Sequence, residues 1–144
     1  MVCLEREEAG QALRLSYERG QVLPINAGAA ALALLAWVPN EELNDLLANP
    51  LTRFTDATYA DADKLAEHLA DIRHQGYAVS RGELDPDVLG IAAPVRGADG
   101  RIIGAISIAT LSHRVPDATI DQYVTPVLEA AKQLADQVEM RNIA

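Results

Sequence analysis

The chain predicts an α+β domain, an antiparallel sheet flanked by helices, and three observations carry that prediction. First, Leu89 to Val95 and Arg101 to Thr110 are apolar, β-prone runs joined by the turn signal Ala98-Asp99-Gly100, which makes them a hairpin. Second, Leu65, Leu69 and Ile72 recur at helical spacing between Asp61 and Gln75, with Gly76 at the left-handed stop position. Third, the segment from about Pro116 sets Ile120, Tyr123, Val124, Val127, Leu128, Ala131, Leu134, Ala135 and Val138 along one stripe, as in a long amphipathic helix. Strands paired by a tight turn, with helices before and after them, fit an antiparallel sheet better than an alternating parallel one.

From the N-terminus, Val2 to Glu5 and Ala12 to Tyr17 read as strands, the second with Leu13 and Leu15 alternating with Arg14 and Ser16. Gly10 and Gly20 mark turns. Asn26 is expected as the N-cap of a helix over Ala27 to Val38, rich in Ala and Leu and ended by Pro39. A short second helix opens at Asn40 or Glu41 and stops near Asn49-Pro50. The Asp61 helix ends with Arg73 and His74, positive groups where the helix dipole favours them. Tyr77 to Ser80 is a strand, a polar loop spans Arg81 to Pro86, and the hairpin follows. Pro126 removes a backbone donor and is expected to kink the last helix.

Bulk properties exclude several classes of function. At 144 residues the chain is one domain, with 49% hydrophobic and 23% charged residues. Aromatics are only 4%, so the core is built from Leu, Ile, Val and much Ala. A net charge of −9 and 12 unclustered Lys and Arg argue against direct DNA binding, which needs a basic face. The single cysteine, Cys3, excludes an internal disulfide and fits a reducing cytoplasm; it is expected as a buried strand residue. MVCLEREE is no signal peptide, and Ala27 to Val38 is too short to span a bilayer.

The segment GYAVSRGELDPDVLGIAAPVRGADGRIIGAISIA, Gly76 to Ala109, resembles the C-terminal effector-binding domain of IclR-type transcriptional regulators. There GYAVS, IAAPV and GAISIA recur in this order and spacing. The resemblance implies a GAF-like fold, a small-molecule effector, a homodimer or homotetramer, and no cofactor. It also implies that DNA is reached only through a helix-turn-helix that this chain lacks, so the domain is expected to be trimmed on its N-terminal side. The family's LPLHATALGKALLA motif corresponds to Leu23 to Ala36, and the ligand sits between that helix and the sheet. Carried over motif by motif, the ligand-facing positions are Ala12, Leu15, Leu23, Ala29, Ala30, Ser80, Gly90, Ser107 and Ala109.

Two of these clusters also stand out physically. The first turn of the Asn26 helix, Ala27-Gly28-Ala29-Ala30, has no side chain larger than a methyl, so a ligand oxygen can reach its N–H groups. The alternative is close packing on the sheet. In the Ile102 to Thr110 strand, Gly104, Ile106 and Ile108 share one face, while Ile103, Ala105, Ser107 and Ala109 share the other. That small face either floors a pocket in mid-sheet or seats a helix, and a buried Ser107 hydroxyl needs a partner in both cases.

Departures from the family pattern set the expected ligand. Asn26 replaces the motif's His, Gly28 its Thr or Ser, and Ala31-Leu32 its Gly-Lys pair. Ser80 stands where some members place a carboxylate, and Gly90 and Ala109 where others have a polar side chain. With no Lys or Arg carried over, the expected ligand is mostly apolar, an aromatic or short-chain acid. No catalytic motif is present, so the reading is a sensor and not an enzyme; a ligand-free oligomerisation module is the alternative. Trp37 is a candidate for contact between subunits or for the core. His68 and His74 lie on different faces of one helix and read as solvated, so a metal site with His113 and Cys3 is rejected. Glu83, Asp85 and Asp87 read as a solvated loop that can act as a lid.

Overall fold

The computed structural model describes residues 1–8 and 17–142, with the side chain of Asn142 left aside. The expected strand Ala12 to Tyr17 lies almost wholly outside the described residues, as do Ala12 and Leu15 themselves. Among the described residues four helices, α1 (Ala29–Leu35), α2 (Asn40–Leu47), α3 (Ala62–Gln75) and α4 (Asp121–Asn142), surround three strands. These are β1 (Ala78–Arg81), β2 (Val88–Arg96) and β3 (Ile102–Leu111), antiparallel in the order β1-β2-β3. Short 3₁₀ turns at Ser112–Arg114 and Asp117–Thr119 lead into α4.

Local chemistry explains the elements that match expectation. Asp61 caps α3, its Oδ1 accepting from the Lys64 N–H at 2.9 Å, and Gly76 closes it with φ of 89°. The β2–β3 hairpin turns where Gly97 N–H donates to the Arg101 carbonyl at 2.8 Å. Gly100 takes φ of 78° there, which a side chain would resist.

The sheet lies between two apolar layers. Ala78 and Ala92 face Ala29, Leu32, Ala33 and Ala36, and behind these α3 packs Leu65, Leu69 and Ile72. On the opposite face Leu89, Ile91, Ala93 and Val95 meet Val124, Val127 and Ala131 of α4. The alanines facing α1 let helix and sheet approach closely. At Gly90 a Cβ would stand 3.0 Å from the Ala29 Cβ.

Several expectations are corrected. Asn26 does not cap α1; it is 3% exposed, and its Nδ2 donates to the carbonyls of Thr52 (2.9 Å) and Tyr59 (3.1 Å). Gly28 holds the cap position with φ of 88°, and the helix is seven residues rather than twelve because Trp37 and Val38 tighten into i→i+3 bonds. Val2 to Glu5 is no strand, only an isolated bridge from Val2 to Val22, and Leu4 turns out to solvent. Cys3 is half-buried rather than buried. The α4 stripe is split: Val124, Val127 and Ala131 are buried, while Leu128 and Leu134 are each 39% exposed, because only one edge of the stripe meets the sheet. α4 runs unbroken through Pro126.

Candidate functional site

A cleft of about 280 Å³ opens where α1 crosses the end of the sheet. Leu23, Ala29, Ala30, Ser80, Gly90, Ser107 and Ala109 all line it. They come from five segments of chain, and the antiparallel register brings them together: Ser80 pairs with Gly90, Gly90 with Ala109, and Ala92 with Ser107. Alternation then turns Ser80, Gly90, Ser107 and Ala109 to the α1 side. Ala12 and Leu15 fall outside the described residues.

Ser107 departs from expectation in one respect. Among the described strands β3 pairs with β2 alone, and the expected strand Ala12 to Tyr17 lies outside the described residues. Ser107 and Ala109 are exposed within the open cleft, so the Ser107 hydroxyl is not a buried group seeking a partner.

Residues not singled out from sequence complete the walls. Tyr17, Ala27, Gly28, Leu84, Asp85, Val88 and Ile108 line the cleft too. No Lys, Arg or His side chain lines it among the described residues. Burial and the nearby Asp85 charge push the Tyr17 hydroxyl above its usual pKa. Leu84 and Asp85 belong to the Pro-containing loop and Val88 opens β2, and the only sequence signal for them is the loop's position beside the small-residue strands.

Glu83 overturns the reading of that loop as solvated. It is 5% exposed, and its Oε2 accepts from the Gly28 N–H at 3.3 Å. Burial pushes its carboxyl above the ordinary glutamate range, opposed by hydrogen bonds from Ser80, Gly28 and Arg81. One of the N–H groups exposed by the small residues before α1 is thus already taken by the chain's own carboxylate. Asp85 and Asp87 are exposed, as expected.

His68 is also not a solvated histidine. Its ring stacks on Tyr59 with centroids 4.4 Å apart, and burial lowers its pKa against the opposing charge of Asp71. His74 is exposed at the end of α3. Trp37 is half-buried against the α1 layer, with the Arg96 guanidinium 4.7 Å from its ring centre.

A second, shallower groove of about 320 Å³ runs between β3 and α4, lined by Ile106, Ile108, Tyr123, Pro126, Val127 and neighbours. Among the described residues no helix is long and apolar enough to cross a membrane.

Comparison with known proteins places this geometry. Residues 1–136 match the family model described as "Bacterial transcriptional regulator IclR C-terminal". The chain is 37% identical over 136 residues to the HTH-type transcriptional regulator XynR of Escherichia coli K12, covering 93% of this chain and 54% of the relative. Among solved structures, the C-terminal domain of a transcriptional regulator from Vibrio cholerae is 35% identical with a TM-score of 0.74, covering 90% of this chain and 75% of that one. The inducer-binding domain of PobR from Acinetobacter, a double mutant in complex with 3-hydroxybenzoic acid, is 25% identical with a TM-score of 0.73, covering 91% and 76%. The chain spans about half the length of the curated relatives it matches. With its α+β fold and its motifs at matching positions, the chain belongs to the IclR C-terminal domain family of bacterial transcriptional regulators.

Proposed function

We propose that this chain is the effector-sensing domain of an IclR-family regulator, and that the cleft between α1 and the sheet takes a small organic metabolite. The observation that carries this reading is the convergence of Leu23 and six small or hydroxyl-bearing residues, from five segments, on one open cleft. Its volume lies near the lower end of the roughly 300–1,000 Å³ usual for ligand pockets, so the ligand is small. Its walls are mostly apolar, with Ser107 as a hydroxyl donor and no Lys, Arg or His side chain among the described residues, which supports an aromatic or short-chain acid with one polar end. The 3-hydroxybenzoic acid complex of the PobR domain supports the same class. Glu83 and Asp85 weigh against a dianion.

The domain is a sensor in the cytoplasm and not an enzyme. The cleft's hydroxyls have no histidine base beside them among the described residues. Binding biases the arrangement of subunits in a homodimer or homotetramer by differential affinity for two arrangements. DNA is reached through a helix-turn-helix region elsewhere in the regulator, and no cofactor is required. The alternative, a ligand-free oligomerisation module, needs the space beside Ala29, Ala30, Ser80 and Ser107 to be filled; the open cleft favours the sensor.

A thermal-shift screen against aromatic acids, short aliphatic acids, oxo-acids and sugar acids tests this. A ligand at 100 times its Kd adds about 2.7 kcal/mol of stability. We expect an aromatic or short-chain acid to raise the midpoint, and Ser107→Leu at the exposed wall to remove the shift while the free variant stays folded. Tight binding of a sugar phosphate without any apolar acid would retire the ligand class. A flat screen would favour the oligomerisation module.

A further inference from the structure

The turn between α2 and α3 lies outside the cleft, yet it is hydrogen-bonded to both of its walls. On the α1 side, the buried Asn26 amide donates to the carbonyls of Thr52 (2.9 Å) and Tyr59 (3.1 Å). That fixes the chain just before Ala27, Gly28 and Ala29, all of which line the cleft. On the loop side, the Thr58 hydroxyl donates to the Glu83 carbonyl and the Thr55 hydroxyl to the Gly82 carbonyl, each at 2.6 Å. Leu84 and Asp85, the next residues, line the opposite wall. The Glu83 side chain closes the frame by accepting from the Gly28 N–H at 3.3 Å.

Thr58 is where these bonds meet. Its hydroxyl accepts from the N–H groups of Phe54 (3.0 Å) and Thr55 (2.9 Å) while donating to Glu83. The residue is 4% exposed, and a hydroxyl has one donor and two acceptor sites, so all are occupied here. No water is needed to satisfy it, and the turn cannot shift without breaking a bond to the cleft wall.

We infer that Thr58 is a positioning residue for the cleft, and that the 52–59 turn holds the α1 wall at a set distance from the 82–88 wall. Thr58 does not line the cleft and acts through the Glu83 carbonyl. A ligand that alters the separation of the walls is then registered at the turn, where Phe54 presents an exposed aromatic ring. This use of the turn rests on the effector reading above, whereas the hydrogen-bonded frame itself does not.

The test therefore uses no ligand. Amide hydrogen exchange is measured on the native chain, Thr58→Val and Thr58→Ser. Valine keeps the shape and removes the hydroxyl; serine restores it. We expect Thr58→Val to speed exchange by about tenfold or more at Gly28, Gly82 and Val88, with Ile91 and Ala93 of β2 within about twofold of native. Thr58→Ser should return all of them to native rates. A rise confined to Phe54 and Thr55, or a uniform rise that includes Ile91, would overturn the inference. Should Thr58→Val not fold, Thr55→Val removes the hydroxyl that donates to Gly82 and accepts from the Ala57 N–H while keeping the Thr58 bond to Glu83, and must raise exchange at Gly82 and Val88 selectively. A flat ligand screen leaves this result standing, so the two failures are separate.

Discussion

Glu83 is a carboxyl buried among apolar and main-chain atoms, and its ionised form is disfavoured by that burial. A carboxyl whose pKa is raised by folding binds its proton more tightly in the folded state. The stability this contributes is present below the ordinary glutamate pKa and is lost as pH rises through the raised value. Glu83→Gln keeps an acceptor for the Gly28 N–H and has no charge to desolvate. We therefore expect the variant to be at least as stable as the native chain at neutral pH, and urea unfolding from pH 4 to 8 to show a flatter profile for it. A variant much weaker at neutral pH would mean that the charge itself stabilises the loop. His68 acts in the opposite sense: its lowered pKa means that stability is lost as pH falls through the ordinary histidine value, so the His68→Gln background should be used to isolate the Glu83 contribution.

At the contact between α1 and the sheet, the short side chains are a geometric requirement. Adding a methyl at Gly90 would bring carbon to 3.0 Å from the Ala29 Cβ, closer than packed methyls tolerate. Either α1 lifts or β2 bends. Gly90→Ala is expected to cost about 1–3 kcal/mol in chemical unfolding and to narrow the cleft. A neutral Gly90→Ala would show that α1 has room to move, and the cleft would then be less defined than its walls imply. α1 itself is only seven residues long, too short to be stable by propensity alone, and it is held by the packing of Leu32, Ala33 and Leu35 on α3 and the sheet.

For the domain as a body, the apolar side chains left outside both core layers matter most. Ile103 and Ile108 on β3, with Tyr123, Leu128, Leu134 and Met140 on α4, remain exposed. β3 carries no charged residue across Ile102–Leu111. The proposed homodimer or homotetramer would cover this surface. Light scattering on the purified chain is expected to give twice or four times the 15.5 kDa chain mass. A monomer at all concentrations would sink that proposal without touching the cleft.

Much of this molecule is legible in its order of residues. Asp61 and Gly76 bound α3 because capping and left-handed closure are set by neighbours within one helical turn. The hairpin follows from Ala98-Asp99-Gly100 and the apolar runs around it, and the two small-residue clusters stand out by composition. These are local interactions, readable from adjacent positions. Asn26 has the local signature of a cap, but its partners, Thr52 and Tyr59, are 26 and 33 residues away. Glu83 read as solvated because nothing near it in the chain announces that Thr58 and Gly28 will bury it. α3 and the β2–β3 hairpin were thus determined by short-range chemistry in the sequence, while α1 depends on the packing around it. Which polar groups are buried, and which small residues share one cleft, was decided only when long-range packing set the walls against each other.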